Sequence, residues 1–255
     1  MKKARIQSAF FGVLMLLFLA DDLDATSWLN YKYFTGEFFH IIREIIFSQA
    51  KENDPLSKSD DTEVADTLIL DVPFSSQAPY GDWGAPYQEA CEETSILMLE
   101  YFWNQGLLDK VTADLEIIAL ASWESDHGFA EDTNVTETGK MAEEYYGLKP
   151  YTYFDEDVTI ENIKKLLSQG YPVIVPAAGR KLGNPHYTPP APLYHMLVIK
   201  GYDDSGFITN DPGSSFGESY KYSFEVLDQA IHDWTGEKTD IESGRRAILV
   251  LEEVF

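Results

Sequence analysis

One cysteine, Cys91, and five histidines are the residues of this 255-residue chain best suited to nucleophilic chemistry. Cys91 falls where a segment rich in Gly, Pro and aromatics, 74–90 (FSSQAPYGDWGAPYQEA), gives way to a largely apolar run, 91–105 (CEETSILMLEYFWNQ). A run apolar nearly all round after its first turn reads as a helix buried in the middle of a domain. A sulfur at the start of such a helix lies near unpaired N–H groups and the positive end of the helix dipole. Together with a neighbouring imidazolium, these lower a thiol pKa from about 8.5 to roughly 3.5–7.5. The spacing therefore predicts a thiolate nucleophile. Glu92 and Glu93 oppose it if their carboxylates point at the sulfur, and they are expected to turn away.

The base must be a histidine. His40 and His232 sit within helical patterns, His127 lies in the polar segment 123–133, and His186 lies in the loop 178–193 (AGRKLGNPHYTPPAPL). His195 is the best placed, because it opens a strand, 195–200 (HMLVIK), that fixes its ring beside loops where substrate arrives. The chain then turns through 201–206 (GYDDSG) and returns as 207–210 (FITN) to Asp211. Residues at the open end of a hairpin are cross-strand neighbours, so Asp211 is expected beside His195, where its carboxylate fixes the tautomer. Cys91, His195 and Asp211 thus fall into the roles of nucleophile, base and orienter. Acyl transfer also needs a donor to the oxyanion. Gln77, acting with the Cys91 backbone N–H, is the first candidate. Gln88 is the rival, but its closeness to the thiol places it within the approach turn.

The elements that must hold these groups follow from periodicity and end signals. Helices are expected at 110–124, 136–146, 160–168 (Thr159 as N-cap, Gly170 as terminator) and 224–234 behind Ser223. Strands are expected at 67–72, 149–154, 172–176, 194–200, 206–210, 219–223 and 246–252. Helices first and strands later, without regular alternation, indicate an α+β domain.

Composition removes other classes. Nineteen Lys plus Arg against 43 Asp plus Glu give a net charge of −24, which repels a polyanion and argues against nucleic acid. A single cysteine excludes an internal disulfide framework and a multi-thiolate zinc site. No His pair has helical i, i+4 spacing, and no EF-hand loop is present. The segment 203–211 (DDSGFITND) superficially suggests calcium, but a hairpin turn accounts better for its glycine and carboxylates. No cofactor or metal is expected. Asn134 to Thr136 forms a glycosylation sequon, a pattern common by chance.

Three regions are expected. In residues 1–25, Lys2, Lys3 and Arg5 precede twelve residues, Ala9 to Ala20, of apolar character, which matches a signal-peptide core and is too short to span a bilayer as a helix. Cleavage after Ala25 leaves Leu23 at the minus-three position, a mediocre site, so both a cleaved leader and a retained anchor stay open. Either way the protein is expected to be exported, secreted or tethered at the outer face of the cytoplasmic membrane. Residues 26–66 comprise an amphipathic helix at 27–50 and a polar linker at 51–66, and 67–255 form the main domain.

The run 70–98 (LDVPFSSQAPYGDWGAPYQEACEETSILM), the segment 172–175 (PVIV) and the segment 194–213 (YHMLVIKGYDDSGFITNDPG) resemble the papain-fold cysteine peptidases related to the bacteriocin-processing double-glycine leader peptidases. The resemblance covers about residues 67–252. It implies a papain-like fold with the nucleophile's buried helix packed on an antiparallel sheet, with Cys91 as nucleophile, His195 as general base, Asp211 as orienter and Gln77 in the oxyanion hole. It also implies a peptide or protein substrate. Two departures stand beside the thiol: Glu92 replaces the glycine that usually follows the nucleophile, and the loop from Gln77 to Cys91 is longer. Leader-peptide specificity therefore does not carry over. Two other functions fit the same residues. One is an inert module binding peptide or cell-surface polymer through Tyr80, Trp83, Tyr87, Tyr187 and Tyr194, and the other is a transglutaminase-like acyl transferase.

Overall fold

The computed structural model describes residues 54–57 and 64–254. Residues 1–25 and the helix expected at 27–50 lie outside the described residues, as does most of the linker. The chain divides into two compact units, Met1–Lys58 and Ser59–Phe255. In the first, Pro55–Ser57 form a 3₁₀ turn, and Leu56 N–H donates to Asp54 Oδ1 at 2.9 Å.

In the second unit the described helices are α1 (Cys91–Trp103), α2 (Lys110–Asp126), α3 (Val135–Tyr146), α4 (Ile160–Ser168) and α5 (Phe224–Ala230). The strands are β1 (Leu68–Ile69), β2 (Lys149–Phe154), β3 (Val173–Ala178), β4 (Tyr194–Tyr202), β5 (Phe207–Asn210), β6 (Tyr220–Tyr222) and β7 (Ala247–Glu252). The helix starts are set chemically. Asp109, Thr159 and Ser223 each accept a hydrogen bond from a first-turn amide, and Asn134 with Glu137 forms a reciprocal capping box on α3. The chain leaves α3 at Gly147, in the left-handed region at φ 76°.

All pairings in the sheet are antiparallel, in the order β2-β7-β3-β4-β5-β6, with β1 added to the far end of β4. The domain is α+β, as expected. β4 is central and buried along its whole length. Its even-numbered residues Tyr194, Met196 and Val198 join Ile96, Met98 and Leu99 of α1, Met141 of α3 and Leu249 and Leu251 of β7 in one apolar cluster. The alternate residues, among them Leu197 and Ile199, are equally buried, and α4 packs on β3 and β4 through Ile163, Leu166 and Leu167. Every α1 residue from Cys91 to Leu99 is buried, so the helix that begins at the thiol is held from all sides.

Two elements are shorter than their sequence suggests. The strand expected at 67–72 pairs only at Leu68 and Ile69. One further bond, Leu70 N–H to Lys200 O, follows before the chain departs towards Pro73, which has no donor for a ladder. The helix expected at 224–234 ends at Ala230 because the next residues bond to β3 instead, Ile231 bridging Ala177 and His232 N–H donating to Pro176 O. A register shift between Ile199 and Gly201 marks a bulge at Lys200 in β4.

Leu99 is completely buried between α1 and the sheet. Leu99→Ala is expected to lower the unfolding free energy by about 2–5 kcal/mol. Urea denaturation should show this as a reduced midpoint with an unchanged slope.

Candidate active site

The bulge sets how His195 meets Asp211. Beyond Lys200 the β4 and β5 residues pair as Val198 with Asn210 and Ile199 with Thr209, whereas before it Gly201 pairs with Ile208. Continued one step, the shifted register sets Asp211 opposite Leu197, two residues along the same face from His195. The unshifted register would have set Asp211 opposite Val198, with its side chain on the other face. The two residues expected to meet at the hairpin's open end do so, with His195 Nε2 2.7 Å from Asp211 Oδ1.

Asp211 has no solvent exposure and is held by five donors. Oδ2 accepts from Tyr222 OH at 2.6 Å, Tyr187 OH at 2.7 Å and Asn184 Nδ2 at 3.0 Å. Oδ1 accepts from His195 Nε2 and from Gly213 N–H at 2.9 Å. Burial on its own would raise the carboxyl pKa, but the facing imidazole and the hydroxyl donors overcome it and hold the group down at about 2. Since the carboxylate has only lone pairs to offer, Nε2 carries the proton and Nδ1 is the basic nitrogen. Among the described residues none hydrogen-bonds to Nδ1. The ring also lies edge-on to Tyr187, with centroids 5.4 Å apart. Residue 213 must be glycine, because a Cβ there would sit 2.9 Å from His195 Cε1 and 2.8 Å from the Tyr187 ring.

Cys91 begins α1 behind Ala90, whose carbonyl accepts from both the amide and the hydroxyl of Thr94. The thiol is buried and departs from the expected thiolate. Its Sγ donates to Glu92 Oε2 at 2.9 Å, while the Met196 amide, next to His195 on β4, donates to the sulfur. Glu92, expected to turn away, turns towards it. The reason is the second half of its carboxyl, since Oε1 accepts from Thr133 N–H at 3.1 Å and Thr133 O in turn accepts from Tyr194 OH at 2.8 Å. Burial and then the Glu92 charge push the thiol pKa up, and burial lifts Glu92 itself to about 8. Glu93 is buried and makes no hydrogen bond to the sulfur, and burial and then the Glu124 charge push its carboxyl pKa up.

Gln77 is brought to the site by backbone ties: its amide donates to Pro212 O, and Asn210 Nδ2 donates to Val72 O and Pro73 O just upstream. Its side-chain amide donates to the carbonyls of Tyr87 and Gln88, at 2.8 and 3.2 Å, and its Oε1 is buried without a partner. Gln88 is exposed. Gln77, Gln88, Cys91 and His195 all line one cleft of about 450 Å³, together with Trp83, His186 and Lys238. Of the aromatics expected to form a groove, Tyr80 is exposed and Tyr87 bonds to Asp114. Tyr187 and Tyr194 are committed to Asp211 and Thr133. His127 stacks on Trp123 and His232 bonds to Gly244 O, so neither joins the cleft. Asn184, Tyr187, Tyr222 and Gly213 were not singled out from the sequence as partners of Asp211. For Asn184 and Tyr187 the only signal is the concentration of polar and aromatic residues in the loop before His195, and nothing local marks Tyr222 or Gly213.

Among the described residues no group of three or more His, Cys, Asp or Glu is arranged to hold a metal ion, and no helix is long and apolar enough to cross a membrane. In the turn that superficially suggested calcium, Asp203 accepts from Ser205 and pairs with Lys221.

Two outcomes follow from these hydrogen bonds. A carboxylate whose folded pKa is depressed contributes stability above its unfolded pKa and loses it as pH falls through the folded value. Asp211 should therefore contribute of order 2 kcal/mol at pH 6. The stability difference between wild type and Asp211→Asn is expected to shrink by that amount between about pH 4 and pH 2, measured by denaturant titration at each pH. Glu92→Gln removes the charge that opposes thiol ionisation while leaving the burial. The pH midpoint for alkylation of Cys91 by iodoacetamide should then move to lower pH.

The model of the peptidase C39-like family matches residues 69–239, which include all four predicted site residues. A crystal structure described as that of a C39-like peptidase from Bacillus anthracis aligns with 75% of this chain and 100% of its own, at 18% identity and a TM-score of 0.49. No curated protein matches the sequence. The family match extends over two thirds of the chain and runs from the start of the sheet past α5, so the chain belongs to the peptidase C39-like family of cysteine peptidases, with their papain-like α+β fold.

Proposed function

We propose that this chain is a thiol hydrolase that cleaves peptide bonds through Cys91, His195 and Asp211. The observation that carries the reading is the buried His195–Asp211 pair, which leaves Nδ1 as the basic nitrogen in the same cleft as the chain's one cysteine. The reading requires the sulfur to leave Glu92 and reach the imidazole by rotation about the Cys91 Cα–Cβ bond within the cleft both residues line. The thiol proton passes to Nδ1 as Sγ bonds to the substrate carbonyl carbon, and the oxyanion forms at the first turn of α1, where helix geometry leaves amide donors unpaired. The Cys91 N–H serves there, with the Gln77 side chain once one of its N–H groups leaves the loop carbonyls, or with Gln88 in its place. His195 then protonates the leaving amine as the C–N bond breaks. Water attacks the thioester, giving its proton to Nδ1, and the acid departs with the thiol restored. The basic and apolar pattern of residues 1–25 supports export, either secreted or membrane-tethered, with a peptide or protein as substrate.

A catalytically inert peptide-binding module is favoured by one observation: the resting thiol is bonded to Glu92 and both Gln77 N–H groups are occupied. A transglutaminase-like acyl transferase would share the thioester and differ only in its acceptor.

Digestion of a peptide library by the purified chain separates these readings. Wild type should generate new fragments that Cys91→Ala does not, and His195→Ala should slow alkylation of the thiol at neutral pH. Absence of turnover with peptide still bound by Cys91→Ser would replace the hydrolase with the binding module. New amide products on adding a primary amine would replace it with the transferase.

A further inference from the structure

Among the described residues, three of the Asp, Glu, Lys and Arg side chains line the catalytic cleft: Glu89, Arg180 and Lys238. Glu89 and Lys238 pair with each other at 2.7 Å, and Asp132 takes a second contact on the ammonium at 3.1 Å. Arg180 is left over. Arg245 and Arg246, the other two arginines among the described residues, pair with Asp233 and Asp228, whereas no described carboxylate pairs with Arg180. With 43 Asp plus Glu in the chain against 19 Lys plus Arg, an arginine without a carboxylate is the unexpected case. The charge that the cleft leaves uncompensated is therefore positive, in a protein whose net charge is −24.

The turn that carries this guanidinium is fixed. Arg180 lies in the 3₁₀ turn Gly179–Leu182, directly after β3. Gly179 N–H donates to Leu193 O at 2.9 Å, and a Cβ at 179 would sit 2.6 Å from Pro192 O, so the turn packs closely on the loop before β4. Leu182 is buried, and Lys181 pairs with Glu242 at 3.1 Å. Its neighbours are thus anchored while Arg180 itself is exposed on the cleft wall. A guanidinium presented from a fixed turn loses less entropy on pairing than one presented from a loose loop. Its planar fork of N–H groups matches a carboxylate through two parallel hydrogen bonds. The same cleft carries exposed apolar surface, from Trp83 and from Phe216, which stacks on His186 with ring centroids 4.7 Å apart. Apolar walls around one anchoring charge suit a peptide that bears a carboxylate, and a small inorganic anion would leave them unused.

We propose that Arg180 is a specificity-determining residue that binds a carboxylate of the peptide substrate, either an Asp or Glu side chain or a free C-terminus. The proposal rests on the reading of the cleft as a peptide site. A chain of net charge −24 repels an acidic peptide at long range, so the preference expected here is local to the cleft and opposite in sign to that of the whole surface.

Affinity capture on the full chain carrying Cys91→Ala tests the subsite without turnover. The probes are two matched peptide libraries, one with Asp and Glu and the other with Asn and Gln at the same positions, each made with free and with amidated C-termini. The retained peptides, read by mass spectrometry, should be enriched about fivefold in carboxylate-bearing members over their carboxamide isosteres. Adding Arg180→Ala should erase that difference, and Arg180→Lys should keep part of it. Arg180→Glu should favour peptides containing Lys or Arg, with the circular dichroism spectrum unchanged. An enrichment confined to free C-termini assigns the subsite to the terminal carboxylate, and one that survives amidation assigns it to the side chain. Retention without regard to carboxylates, or an enrichment that persists in Arg180→Ala, would overturn the subsite. Cleavage of the carboxamide library by wild type as fast as the acidic one would also overturn it and leave the hydrolase standing. Capture of acidic peptides through Arg180 by a chain that cleaves nothing would sustain the subsite and remove only the hydrolase.

Discussion

A carboxylate that carries its charge with no access to water must have its lone pairs filled by protein donors, and Asp211 is filled by five. Those donors come from the loop before β4, from the first residues of β4, from the turn after β5 and from β6. None of these segments can settle independently, because displacing one leaves a buried charge short of a hydrogen bond, at a cost of several kcal/mol. The sheet's hydrophobic burial supplies the bulk of the driving force. The carboxylate decides which arrangement of loops that burial produces. Its low pKa keeps it ionised, and its ionisation fixes the imidazole tautomer.

The thiol half of the site is organised on a different principle. His195 is oriented for proton acceptance, while Cys91 faces a carboxyl that keeps it protonated. The thiol is held on Glu92, and Glu92 is anchored through Thr133 and Tyr194 to the start of the strand that carries His195. A glycine after the nucleophile would supply none of these links. The imidazole is thus preorganised and the thiol is restrained by its carboxyl neighbour.

Much of this was readable from residue order. Cys91, His195 and Asp211 stand out because their types are scarce or their places strict: a lone thiol at a helix start, and a histidine and an aspartate at the open end of one hairpin. The helices were legible through Thr159, Ser223 and the spacing of apolar residues, since caps and periodicity are local. What sequence could not supply is convergence between distant side chains. Asn184, Tyr187 and Tyr222 meet at Asp211 from 11 to 27 residues away, and no local rule orders such loops. The direction of Glu92 depended on an amide 41 residues later. Short β1 and the early end of α5 were decided by competing backbone partners on β4 and β3, which override the local pattern.

The bulge at Lys200 makes the hairpin count in pairs. Side chains alternate between faces, so a single residue gained or lost between the bulge and Asp211 would exchange the carboxylate's face for that of its neighbour Asn210, whereas a change of two would restore it. Length variation in the 203–206 turn is cheap only where it stays outside the paired residues. Within the ladder, evolution or design can move this hairpin only in steps of two: one residue gained there would keep the sheet while the histidine faced the carboxamide of Asn210, and one residue lost would set Pro212 in the carboxylate's place.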